Sequence, residues 1–61
     1  MTIRQKLKRA DRVFVMVMGV EFWIKTTKGE IRELAKNLEG GWDRLSGDMI
    51  GDDLYVHVEP S

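Results

Sequence analysis

The hydrophobic and polar positions change period several times along this chain, and each change marks an element. Ile3, Leu7 and Ala10 recur at i, i+4 and i+7, while Arg4, Lys8, Arg9 and Arg12 lie away from that stripe, so a short amphipathic helix is predicted over residues 2–11. Thr2 is its candidate N-cap. Residues 13–18 then carry no charge and are β-branched, aromatic or Met, the composition of a strand. Gly19-Val20 offers a two-residue type II′ turn, which takes Gly first, and residues 21–26 return as the second strand. A single long strand with a bulge at Gly19 is the alternative.

That turn sets a register. One face receives Val13, Val15, Val17, Phe22, Ile24 and Thr26 and is expected to be core. The other receives Phe14, Met16, Met18 and Trp23 with Glu21 and Lys25, and is expected to be only partly covered.

Thr27-Lys28-Gly29-Glu30 has the T-x-x-E form of a capping box, in which hydroxyl and carboxylate satisfy each other's backbone donors. Ile31, Leu34, Ala35 and Leu38 follow at helical spacing, and Gly40-Gly41 supplies a left-handed stop, so a helix is predicted over 28–39. A strand over 30–34 fails because Arg32 and Glu33 are adjacent charges where a strand would alternate. Residues 42–45 and 49–50 are short strand candidates, joined or broken at Ser46-Gly47, and residues 51–53 form a turn. Residues 54–58 alternate cleanly, with Leu54, Val56 and Val58 inward and Tyr55 and His57 outward.

The expected fold is α+β: a small, mainly antiparallel sheet of three or four strands, with one main helix packed on it and a short basic N-terminal helix. A small β-barrel with an N-terminal helix is the alternative. The main helix should cover the Val13/Val15/Val17/Phe22/Ile24 face. The N-terminal helix should lie on the Met-rich face or project from the body.

Sixty-one residues allow one domain with a marginal core, divided here into residues 1–12 and a body of residues 13–61. The absence of cysteine excludes disulfides and thiolate metal sites and leans toward the cytoplasm. One histidine excludes a zinc site built mainly of imidazoles. The apolar run around residues 13–20 is too short to span a membrane, which takes about 20 residues. No small-residue cleavage site follows it, so a secretion signal is not expected.

Charge adds one feature. Residues 1–12 hold five bases against one acid, whereas residues 13–61 hold five bases against nine acids, so a net charge of zero conceals a basic arm beside an acidic body.

Candidate chemistry is sparse. Asp48, Asp52 and Asp53 lack the spacing of a calcium loop and read as a solvated turn. His57 lacks a nucleophile partner, and Ser46 lacks a nucleophile-elbow context. No catalytic residue, metal or cofactor is expected, and the chain is not expected to be an enzyme.

The preferred expectation is a small regulator or inhibitor, of the size and composition encoded by phages and mobile elements. It would occlude a larger macromolecule sterically and electrostatically, for example nucleic-acid-handling machinery. Its contact residues would be Phe14, Met16, Met18 and Trp23 together with acids including Glu30, Glu33, Glu39, Asp43, Asp48, Asp52 and Asp53. The alternative is a nucleic-acid-binding module that sets Arg4, Lys8, Arg9 and Arg12 against phosphates. A third expectation is a homodimer built on the Phe14/Met16/Met18/Trp23 face or on edge strands.

Overall fold

The structure is a computed structural model, and it describes residues 1–16 and 22–59. The element order is α1 (Ile3–Arg9), β1 (Arg12–Met16), β2 (Trp23–Thr26), α2 (Lys28–Asn37), a 3-10 turn (Gly41–Arg44), β3 (Leu45–Ile50) and β4 (Asp53–Val58). The strands form one mixed sheet in the order β2-β1-β4-β3. The two outer pairings, β1–β2 and β3–β4, are antiparallel, and the central pairing β1–β4 is parallel. This is the expected small α+β fold.

The β1–β2 register is the predicted one: Val13 faces Thr26, Phe14 faces Lys25, Val15 faces Ile24 and Met16 faces Trp23. The Gly19-Val20 turn lies outside the described residues, as do Val17 and Met18.

Both helices begin on side-chain caps. The Thr2 hydroxyl accepts from the Gln5 backbone N–H at 3.2 Å, and the Gln5 side chain accepts from the Thr2 N–H at 2.8 Å, a complete capping box. At α2 only half of the expected box forms. The Thr27 hydroxyl accepts from the Glu30 N–H at 3.1 Å, but the Glu30 carboxylate turns aside to accept from the Thr26 hydroxyl. α2 ends at Asn37, and Gly40 and Gly41, at φ 89° and 57°, take the left-handed conformations that carry the chain into the 3-10 turn.

The placement of α1 departs from expectation. It neither lies on the Met-rich face nor projects. Its Leu7 and Ala10 join Ile31 and Ala35 of α2 and Val13, Leu45, Leu54 and Val56 of the sheet in one buried cluster. Both helices therefore cover the same face. The radius of gyration, 10.5 Å, leaves no room for a projecting arm, since a compact chain of this length has about 10.5 Å.

The attraction of α1 to that face is local. Gly47, in the middle of β3, has no side chain, and Ile3 fills the vacated space. A Cβ there would sit 2.5 Å from the Ile3 Cδ1 and 2.8 Å from the Leu54 Cδ1. The Lys6 ammonium donates to the Gly47 carbonyl at 2.6 Å. A helix of seven residues does not persist alone, so these contacts hold it. Because the main helix shares the face with α1, it does not bury all of it: Phe22 and Ile24 remain 59% and 39% exposed, against the expectation that they would be core.

Gly47→Ala will accordingly destabilise the fold by about 1–3 kcal/mol through overpacking, even though alanine suits a strand better than glycine. Adding Ile3→Ala removes the nearer clashing methyl, so the double variant will lose less stability than the two single losses combined. Urea midpoints of the four proteins in this cycle measure the coupling.

Candidate functional site: an aromatic sheet face

Alternation along the strands decides what the uncovered face presents. Val13, Val15, Leu54 and Val56 point to the helices, so Phe14 and Met16 of β1, Trp23 and Lys25 of β2, and Tyr55 and His57 of β4 point the other way. On β3 the same rule places Ser46, Asp48 and Ile50 there.

The strand order then assembles an aromatic cluster. Parallel pairing sets Phe14 beside Tyr55, and their rings stack with centroids 5.1 Å apart and planes at 15°. Trp23 meets Tyr55 edge-on at 5.0 Å and His57 edge-on at 5.0 Å. Offset-stacked and edge-to-face pairs are the favoured arrangements of aromatic quadrupoles and add about 0.5–1.5 kcal/mol each beyond area burial. The rings lock one another's rotamers. They are half-buried by their neighbours, and among the described residues no helix lies over them.

Around the rings lies a mixed rim. At one end Arg12 and Asp53 form a two-pronged ion pair, with Nε to Oδ1 and Nη2 to Oδ2 both at 2.9 Å. The hydrogen bond to Asp53, followed by its charge, raises the Arg12 pKa, so the guanidinium stays ionised at every working pH. Lys25 stands opposite Phe14 and Asp48 opposite Tyr55. The Ser46 hydroxyl donates to the Glu59 carboxylate at 2.7 Å. Ile50, opposite Asp53, is 66% exposed. The face thus has an apolar, aromatic centre inside a polar rim that holds two bases, Arg12 and Lys25, and three acids, Asp48, Asp53 and Glu59.

Of the predicted contact residues, the structure brings Phe14, Met16 and Trp23 together on this face; Met18 lies outside the described residues. It divides the acids. Glu30 and Glu33 are exposed on α2 and Asp43 on the 3-10 turn, Glu39 follows α2, and Asp52 occupies the turn before β4. Asp48 and Asp53 belong to the aromatic face, where Asp53 is held by Arg12.

The basic residues are divided too. Arg12 is engaged with Asp53, and the Arg4 guanidinium lies 5.5 Å over the Trp42 ring. Lys8 and Arg9 remain exposed on α1, beside a shallow depression that they line with Met1 and Gln5. That depression belongs to the helical layer, on the far side of the sheet from the aromatic face.

Tyr55 and His57 belong to the cluster although neither stood among the predicted contact residues. Their outward alternation was visible in the sequence; their position beneath Phe14 and Trp23 depends on the parallel β1–β4 pairing, which has no local signature.

Among the described residues, no group of three His, Asp or Glu side chains is placed to hold a metal ion, and no helix is long and apolar enough to cross a membrane. No family model, curated protein or solved structure matches the chain.

Proposed function

We propose that this chain is a non-enzymatic binding module that docks a larger protein on its aromatic sheet face and regulates or inhibits that partner by occupying its surface. The observation that carries this reading is the Phe14/Trp23/Tyr55/His57 cluster on a face that neither helix covers. Rigid aromatic side chains contribute large contact areas at small entropic cost and dominate binding hot spots. The rim favours a protein over a polyanion, because Arg12 is held by Asp53, and Lys25 on β2 is outnumbered by Asp48 and Glu59 on the far side of the rings. A strand-backed aromatic platform for single-stranded nucleic acid needs a positive groove beside the rings. The cysteine-free composition fits action in the cytoplasm.

A second reading rests on Lys8 and Arg9, which are exposed and, among the described residues, engaged in no ion pair. In that reading α1 contacts phosphates, and each neutralised phosphate steepens the salt dependence of binding.

Affinity capture from nuclease-treated lysate separates the two. The proposal predicts a protein that is retained by the wild type and by Lys8→Glu/Arg9→Glu, and lost with Tyr55→Ala. Retention by Tyr55→Ala together with loss on nuclease treatment or on the α1 charge reversal would sink it in favour of the second reading.

A further inference from the structure

Strand pairing sorts the aromatic face into rows that run across the sheet, and the middle row is polar end to end. Register sets Lys25 of β2 beside Phe14 of β1, Phe14 beside Tyr55 of β4, and Tyr55 beside Asp48 of β3. Read across the sheet, this row is base, ring, ring, acid. Neighbouring strands lie about 4.8 Å apart, so the backbones at the two charged ends are separated by about 14 Å, with the stacked rings between them. Lys25 and Asp48 are both exposed, and among the described residues neither is held in a salt bridge. Arg12 and Asp53, in the next row, hold each other.

A row with one positive and one negative end is complementary to its own reverse. A twofold axis parallel to the strands, above the line between β1 and β4, turns the face onto itself. It lays β2 over β3 of the other copy and β1 over the other copy's β4. Lys25 then meets the other copy's Asp48 at one end of the row, and Asp48 meets the other copy's Lys25 at the far end. Between them Phe14 meets Tyr55, ring on ring, in both senses. In the row on one side Met16 meets His57, and in the row on the other Arg12 meets Asp53. No like charges are opposed, and a net charge of zero places no long-range repulsion between copies.

We infer that a second copy of this chain covers the aromatic face, sheet against sheet, about that axis. Packed sheets keep their strand directions within about 30° of each other, so the middle row, which the axis crosses, keeps its pairing. Both helices of each copy lie on the outer side of its sheet, and the dimer has four layers: helices, sheet, sheet, helices. The contact is isologous and uses up the face, so assembly stops at two copies. A face of four strands by five residues measures about 19 by 17 Å. That is well short of the roughly 800 Å² per partner of a standard interface, so the dimer is weak. The face is the one assigned above to partner docking. Self-association therefore keeps the rings from water until a partner displaces the second copy.

Sedimentation velocity in low salt, from micromolar to millimolar concentration, tests this on the wild type, Lys25→Glu and Asp48→Lys, each checked for folding by circular dichroism. The wild type will show a concentration-dependent dimer. Lys25→Glu sets carboxylates against each other at both ends of the row, and Asp48→Lys does the same with ammonium groups. Each will weaken the dimer roughly ten-fold or more, and added salt will narrow the difference. An equimolar mixture of the two variants restores opposite charges at both ends, and it will dimerise as the wild type does. Only a contact between position 25 of one copy and position 48 of the other gives that rescue. A wild type that stays monomeric at millimolar concentration overturns the inference. So does a dimer indifferent to both reversals, or one that the reversals dissociate and the mixture fails to restore. The experiment needs no other protein, so its failure leaves the docking proposal standing, and a failed capture from lysate leaves the dimer standing.

Discussion

Truncating Leu54 to alanine will remove a large part of the fold's stability. Leu54 is fully buried on the central strand β4, beside Val13 across the parallel ladder and Met49 across the antiparallel one. Its Cδ1 also lies against the gap left by Gly47, where Ile3 of α1 enters. One side chain thus touches the sheet's interior and the layer above it. Deleting a buried leucine side chain costs about 2–5 kcal/mol, the upper values arising where surroundings cannot collapse. Collapse is resisted here because the neighbouring positions are backbone-fixed strands on both sides. Native stabilities run near 0.05–0.15 kcal/mol per residue, which puts this chain on the order of 3–9 kcal/mol. The variant will lose about half of that, and its thermal midpoint will fall by at least roughly 10 °C. Ile50→Ala, at a site 66% exposed, will change stability by no more than about 0.5 kcal/mol. Urea denaturation of the three proteins distinguishes a core built on Leu54 from one that is not: equal midpoints for both variants would contradict the packing described.

The second large effect concerns binding. Tyr55 is the hub of the aromatic face, stacked on Phe14 and meeting the edge of Trp23. Tyr55→Ala and Phe14→Ala will each weaken partner binding by about 2 kcal/mol or more, roughly thirty-fold, because hot-spot aromatics near an interface centre carry that much. Tyr55→Phe keeps the ring and its two contacts and will bind within a few-fold of wild type. The same two alanine variants lose about 0.5–1.5 kcal/mol of ring–ring stabilisation per pair, so affinity is to be compared at a temperature where all the proteins are folded. Titration calorimetry against the captured partner gives the numbers. If Tyr55→Ala bound as tightly as wild type while Lys8→Glu/Arg9→Glu did not, the face assigned here would be the wrong one.

How far the sequence foretold this arrangement differs from element to element. The β1–β2 register was legible from the expectation of a Gly-first turn at Gly19-Val20 and the need to keep valines on one side, both of them local signals, and the described pairs have that register. The alternation of β4 was equally plain, because Leu54, Val56 and Val58 admit no other inward set. β3 was harder. Ser46, Gly47 and Asp48 are poor strand formers that leave the candidates over 42–45 and 49–50 either joined or broken; the structure runs one strand through them from Leu45 to Ile50, and residues 42–44, expected as strand, belong to the 3-10 turn. Gly47 is there for the sake of Ile3, a residue more than forty positions away, and no short window contains that reason. The side of the sheet chosen by α1 was likewise hidden. Its stripe says that it packs, and only the Gly47 gap and the Lys6 contact say where. The site inherits this division. Phe14, Met16 and Trp23 were legible from the hairpin alone. Tyr55 and His57 joined them only once β4 was known to lie parallel to β1, a pairing set by the whole chain's layering and not by any neighbour in sequence.

The most direct test of the central claim is amide and side-chain chemical-shift mapping of the isotope-labelled protein as its captured partner is added. The account predicts that the perturbed signals come from Phe14, Met16, Trp23, Tyr55 and His57, with Lys25 and Asp48 at the margin, while α1 and α2 are unmoved. Perturbation centred on Lys8 and Arg9 of α1, with the aromatic face unchanged, would contradict it.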